Sequence, residues 1–255
     1  MEGFIDTLNG VIWSNALVYL CLGAGAYFTL VTLFLQIRCL PDMIRQLKSG
    51  ESSEQGISSF QSLMISLAGR VGVGNIAGVA TAIAFGGPGA VFWMWLVALL
   101  GSATSFIECC LAQIYKETDR DTGEYRGGPA YYIEKAYKHT SAAPFMLVYA
   151  IIFAVCMLLA TSYFLPGIQA NGVAAAVDNA WGINIWVSAT IMTVLLAFII
   201  IGGIKRIANF ASMVVPFMAG IYIIIAIVVL FANASQIPEV FGTIVRAAFD
   251  KEAAF

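Results

Sequence analysis

Residues 57–84 form an apolar run long enough to cross a bilayer, yet its middle is written against the helix that such a crossing needs. In Ser66-Leu-Ala-Gly-Arg-Val-Gly-Val-Gly-Asn-Ile-Ala-Gly-Val-Ala80, Gly69, Gly72, Gly74 and Gly78 each lower helix propensity by about 1 kcal/mol relative to Ala. Asn75 adds a side chain that competes for backbone hydrogen bonds. A free peptide group in hydrocarbon costs several kcal/mol, so such a break survives only where protein or a water-filled cavity covers it. A helix broken there offers bare carbonyls to a cation and bare N–H groups to an anion. The same glycines also admit a plainer reading, because Gly74-Asn-Ile-Ala-Gly78 is a GxxxG pattern suited to close helix packing. A phosphate loop is excluded: no Lys-Ser/Thr follows and no strand precedes.

The surroundings of this run decide its solvent. At 60% apolar and 11% charged the chain is far from the rough half and quarter of a soluble domain. With a net charge of −2 and no basic tract, nucleic acid is not an expected partner. Residues 1–10 hold Glu2 and Asp6 without Lys or Arg, so they lack the basic start of a cleavable signal peptide. The five cysteines have no zinc-type spacing and read as small packing residues.

At about 20 residues per crossing, six spans are expected: Trp13–Ile37, Ile57–Ala84, Ala90–Tyr115, Phe145–Val177, Ile183–Ile201 and Phe210–Phe231. Ten of the thirteen cations fall in the linkers after the first, third and fifth spans. The positive-inside rule places those linkers in the cytoplasm and the N-terminus outside, with Arg246 and Lys251 also outside, in a closing segment that reads as a surface helix over Pro238–Phe249. Gly86-Gly-Pro-Gly89 reads as a tight outer turn, and Pro129 as the start of a short cytoplasmic helix.

Within the spans the ionisable residues are Arg70 and Glu108, a candidate ion pair with a structural or gating role. Pro166-Gly167 should kink the fourth span ahead of Gln169 and Asn171. Gln169 suits either the backbone of an amino acid, the ordering of a loop, or interhelical glue. Trp93, Trp95, Trp181 and Trp186 lie near outer span ends, where an aromatic belt is expected. His139 is the sole histidine and sits in a loop, so neither a histidine metal centre nor a catalytic triad is expected, and the chain does not read as an enzyme.

Several blocks carry a resemblance: Gly69-Arg-Val-Gly-Val-Gly-Asn-Ile-Ala-Gly-Val-Ala-Thr-Ala-Ile83, Gly86-Gly-Pro-Gly-Ala-Val-Phe-Trp-Met-Trp95, Phe106-Ile-Glu-Cys109, Gly127-Gly-Pro-Ala-Tyr-Tyr-Ile-Glu134 and Gln169-Ala-Asn171. With these the chain resembles the alanine or glycine:cation symporter family, the sodium/alanine symporters. The resemblance implies an all-α membrane protein of LeuT-like fold: one extra helix, then two inverted five-helix repeats, of which the six spans here supply the extra helix and the first repeat. Residues 1–37 would be the extracellular N-terminus and extra helix, 38–56 a cytoplasmic linker, 57–232 the first repeat, and 233–255 an extracellular segment leading to an absent second repeat. The chain then reads as the N-terminal part of a symporter.

On the same resemblance, Gly72, Val73, Gly74, Asn75 and Gln169 would bind a small neutral amino acid, alanine or glycine. Backbone carbonyls of Gly69, Val71, Gly72 and Asn75 would hold Na⁺, the coupling ion, with no organic cofactor. Membrane lipid is the other expected partner, and the cell membrane the expected location. A cation channel, or a fragment that regulates assembly without transporting, is the rival reading.

Overall fold

The computed structural model of this chain describes residues 2–49, 57–121 and 123–249. Lys251 and the end of the 38–56 linker lie outside the described residues. The helices run α1 (Glu2–Ile12), α2 (Asn15–Val31), α3 (Leu35–Arg38), α4 (Leu40–Ser49), α5 (Ser59–Ala68), α6 (Val73–Gly86) and α7 (Gly89–Ile114). A two-stranded antiparallel hairpin follows, β1 (Glu117–Thr118) on β2 (Tyr125–Arg126). Then come α8 (Pro129–Ala136), α9 (Ala143–Leu159), a π-helical turn (Ala160–Phe164), α10 (Leu165–Trp181), α11 (Ile185–Ile200), α12 (Gly203–Ala232) and α13 (Ile237–Ala248).

Burial runs opposite to that of a water-soluble domain. Ala103, Ala150, Ala174, Ala208 and Ala248 are the positions sealed between helices, while Phe85, Trp186, Ile201 and Phe231 are 78–90% exposed. Small residues bring helices together and large apolar ones face outward, the pattern expected when the solvent is lipid rather than water. The pairs so formed include α2 with α7, α5 with α12, α10 with α11, and α13 with α7. At α5 the sequence supplies its own start. Ser58 Oγ accepts the Gln61 N–H and Gln61 Oε1 accepts the Ser58 N–H, a reciprocal cap. Gln61 also donates through Nε2 to Asn209 Oδ1 on α12 at 2.7 Å, beside a buried contact of Met64 with Ala211 and Val215.

By length and composition, Ile5–Val31, Gly89–Ile114, Ala143–Trp181 and Gly203–Ala232 can each cross a bilayer. Ser59–Ala68 and Val73–Gly86 together make a fifth crossing bent by 44°. The fifth expected span, Ile183–Ile201, shrinks to the 16 residues of α11, about 24 Å against a hydrocarbon core of about 30 Å. Two local features shorten it. Asn184 Oδ1 accepts the Trp186 N–H and sets the start, and Gly203, at φ +70°, turns the chain directly into α12. Lys205 and Arg206 therefore stand in the first turns of α12 and not in a linker.

The first span also shifts, starting in α1 and ending at Val31 instead of Ile37. Leu33 and Phe34 adopt left-handed φ of 55° and 54°, and the Phe34 N–H returns to the Thr29 carbonyl at 2.9 Å. Bulky residues rarely take that conformation, and it stops α2. The hairpin is a departure from an all-α chain. It is held by an Arg126–Asp119 ion pair, by Lys116 over the Tyr125 ring at 4.3 Å, and by Lys135 of α8, whose Nζ pairs with Glu117 at 2.7 Å and donates to the Tyr115 carbonyl at 2.8 Å. The helix begun at Pro129 is where the sequence puts it.

Two of the four belt tryptophans have another task. Trp93 Nε1 donates to the Ala248 carbonyl at 3.0 Å, and Trp95 stacks on Phe241 at 5.7 Å, so both dock α13 onto α7. The segment expected as a surface helix is thus packed, with Ile244 and Ala248 buried. Trp181 and Trp186 stay exposed.

Candidate functional site

The interrupted run keeps its interruption, but a narrower one than four glycines suggest. α5 closes with Gly69 N–H on the Ile65 carbonyl at 3.2 Å and with Arg70 and Val71 N–H both on the Leu67 carbonyl at 2.9 Å. Gly72 is fully extended (φ −154°, ψ −178°) and its carbonyl starts α6 by accepting from Asn75 and Ile76 at 3.1 and 3.2 Å. Gly74, Asn75 and Gly78 are helical. Only residues 69–72 lie outside a helix, since one extended residue is enough to reset the ladder.

Among the described residues, no backbone N–H reaches the carbonyls of Ala68, Gly69, Arg70 or Val71, and the N–H groups of Gly72 and Gly74 have no carbonyl partner. The C-terminal end of one helix and the N-terminal end of the next therefore meet within four residues. The first concentrates partial negative charge and the second partial positive charge. Neutral carbonyl oxygens are the donor class that a hard monovalent cation takes, so the carbonyl side fits Na⁺; the N–H side fits a carboxylate.

α10 presses on this break. Gln169 Oε1 accepts the Val73 N–H at 2.9 Å. A Cβ on Gly72 would lie 2.9 Å from Gln169 Nε2, and one on Gly172 would lie 2.5 Å from Val73 Cγ1. Glycine is thus needed at Gly172, one turn of α10 after Gln169, whereas at Gly72 a side chain would have to push the Gln169 carboxamide aside. Of the three uses open to Gln169, ordering the break is the one realised here, and its amide sits against the same N–H groups that would receive an anion. Asn75 is exposed on the first turn of α6, and its side chain makes no hydrogen bond among the described residues. Asn171 lies about 200° around α10 from Gln169 and takes no part in the contact.

Arg70 and Glu108 are not brought together. Arg70 Nη1 folds back onto its own helix, donating to the Ser66 carbonyl at 3.1 Å and to Ser66 Oγ at 2.5 Å. Glu108 instead faces the junction of α7 with α8, where burial first and the Glu108 carboxylate second push the Tyr132 phenol above its ordinary range. The side of the helix that each residue occupies was not legible in the sequence. The functional contact that sequence reasoning missed is Gly172 against Val73, for which a glycine three residues after Gln169 was the available clue.

A cavity of about 510 Å³ lies elsewhere, lined by Glu117, Thr118, Asp119, Arg120, Arg126 and Tyr131 of the hairpin region. Its walls carry both charge signs, with Arg126 paired to Asp119 and Glu117 paired to Lys135.

Comparison with known proteins bears on this geometry. The family model described as "Sodium:alanine symporter family" matches residues 1–255. YrbD of Bacillus subtilis (strain 168), provisionally named as a sodium/proton-dependent alanine carrier protein, is 50% identical over 255 residues, which are all of this chain and 51% of that protein. GlnT of the same organism, provisionally named as a sodium/glutamine symporter, is 43% identical over 98% of this chain and 51% of its own length. The sodium/alanine symporter AgcS of Methanococcus maripaludis is 39% identical over 98% of this chain and 55% of its own. The chain spans about half the length of the curated relatives it matches.

Proposed function

This chain belongs to the sodium:alanine symporter family, and on that premise we propose that a protein of the relatives' length carries a small neutral amino acid, alanine or glycine, across the cell membrane together with Na⁺. The observation that carries the reading is the break at 69–72, where cation-seeking carbonyls and anion-seeking N–H groups stand side by side. In this reading the N–H groups of Gly72 and Gly74, with Asn75, receive the substrate carboxylate, and the bare carbonyls of Gly69 and Val71 contribute to the sodium site; the Gly72 and Asn75 carbonyls are engaged by α6 and the Val73 N–H by Gln169. Gln169 shapes the pocket by holding Val73. Cation and carboxylate neutralise each other, so each binds better when the other is present, which is the coupling a symporter needs. A LeuT-like pair of inverted repeats, with the N-terminus outside, would expose the site alternately by rocking one bundle against the other.

Relatives named for alanine and for glutamine support a split between a shared backbone cradle, which reads the part common to amino acids, and a side-chain pocket that differs. The test is uptake of radiolabelled alanine by proteoliposomes holding the full-length protein, with an inward Na⁺ gradient or with choline in its place. Saturable, Na⁺-dependent uptake is expected, and Asn75→Ala should abolish it while membrane insertion is unchanged. Equal uptake in choline would sink the sodium coupling. A current that does not saturate with alanine would favour a channel.

A further inference from the structure

The chain leaves its first span by a built turn. Thr29 is 3% exposed; its carbonyl accepts the Phe34 N–H and its hydroxyl accepts from Gln36 Nε2 at 3.1 Å, which fixes α3 to the end of α2. Cys39 alone then separates α3 from α4. The Phe34 N–H on the Thr29 carbonyl folds the chain back at the end of the span and α3 adds one turn of about 6 Å, so α4 starts close to where the span leaves the hydrocarbon.

α4 has the composition for that level. Leu40, Met43, Ile44 and Leu47 recur at i, i+3, i+4 and i+7 and make one stripe. Each is 37–53% exposed, and α4 packs against α3 and α5. Residues 38–48 hold Arg38, Arg45 and Lys48 against Asp42, three cations to one anion. We infer that α4 lies in the plane of the bilayer surface, with its Leu40–Met43–Ile44–Leu47 stripe immersed at the boundary of headgroups and acyl chains and with Arg45, and Arg38 just before it, on anionic phospholipid headgroups. Continuity with the span sets its depth, and the excess of cations selects anionic lipid.

The test uses the full-length protein with its cysteines replaced. A spin label is placed at Ile44→Cys or at Asp42→Cys, in nanodiscs of phosphatidylcholine alone or mixed with phosphatidylglycerol. The label at 44 is expected to be reached by oxygen and shielded from an aqueous nickel chelate, and the label at 42 to behave oppositely. In the anionic discs, reversing Arg38, Arg45 and Lys48 to Glu should raise chelate access at 44 severalfold, with no such change in phosphatidylcholine. Raising the ionic strength around the unreversed protein should act in the same direction, which keeps the test decisive if the reversed variant fails to insert. A label at 44 shielded from both reagents would overturn the proposal in favour of a protein face, from a second copy or another segment. Free chelate access at 44 in anionic discs, or indifference to both charge reversal and salt, would overturn it as well.

Discussion

Where Ser59–Gly86 gives up four residues of helix and turns by 44°, Ala143–Trp181 meets a proline and runs on for 39 residues. Pro166 lacks an N–H and its ring crowds the carbonyl four residues back. The π turn at Ala160–Phe164 widens the helix there: the Leu165 N–H reaches back five residues to the Ala160 carbonyl. The Thr161 and Ser162 hydroxyls donate to the Met157 and Leu158 carbonyls at 2.8 and 2.6 Å. The helix runs on through the proline as one apolar crossing. The glycine break is less covered: among the described residues no backbone N–H reaches the carbonyls of Ala68, Gly69, Arg70 or Val71, and the N–H groups of Gly72 and Gly74 have no carbonyl partner. The helix accommodates the proline, whereas extended glycine opens a gap that only a neighbouring helix or a ligand can fill.

That contrast can be broken by experiment. Gly72→Val should displace the Gln169 amide and put a branched side chain into the gap, lowering Na⁺-dependent alanine uptake by a hundredfold or so, about 3 kcal/mol. Normal uptake at normal membrane levels would show that the gap is not where solute sits. Gln169→Leu removes the one acceptor of the Val73 N–H and should cost about 1–2 kcal/mol, roughly 5–30-fold in uptake. Because both changes act through one contact, the double variant should fall well short of their sum in a double-mutant cycle. Pro166→Ala should alter uptake by no more than about threefold and the thermal midpoint by a few degrees at most, since the helix already runs through this position unbroken. A large loss would give the proline a working role.

Smallest of all is the effect expected at the hairpin, outside both crossings. The hydrogen bond and charge of Lys135 hold Glu117 below its ordinary value of 4.5. A lowered carboxylate contributes above its ordinary value and loses that contribution as pH falls through the depressed one. Amide protection over Glu117–Arg126 should therefore decline slightly on acidification below about pH 4.5, and Glu117→Gln should flatten the response. The pair is exposed, so the change should be slight.

The sequence announced the gap through the density of Gly69, Gly72, Gly74 and Gly78, since propensity is local and needs no partner. It could not announce that Gly72 alone would be extended and that Gly74 and Gly78 would be helical, because that follows from α10 pressing Gln169 and Gly172 onto the start of α6. Arg70 and Glu108 show the same limit. Hydropathy gives depth in the bilayer, but azimuth depends on which helix packs alongside. Trp93 and Trp95 satisfied every rule for an interfacial belt, and only α13, far along the chain, gives them another purpose. The left-handed pair Leu33–Phe34 carries no glycine or asparagine to mark it, so the early end of the first span was hidden too.

The π turn reaches further than its five residues. Each residue advances a helix by about 100°, so a wider turn changes the rotational phase of everything after it. Gln169 and Gly172 look toward α6 because the winding of Ala160–Phe164 aims them there. A one-residue deletion in that turn would leave hydropathy, length and every side chain near the pocket almost untouched, yet it would swing the carboxamide to another quarter of the compass. Homologues that lose or gain a residue at 160–164 should consequently carry a different group opposite Val73, and that coincidence is open to counting.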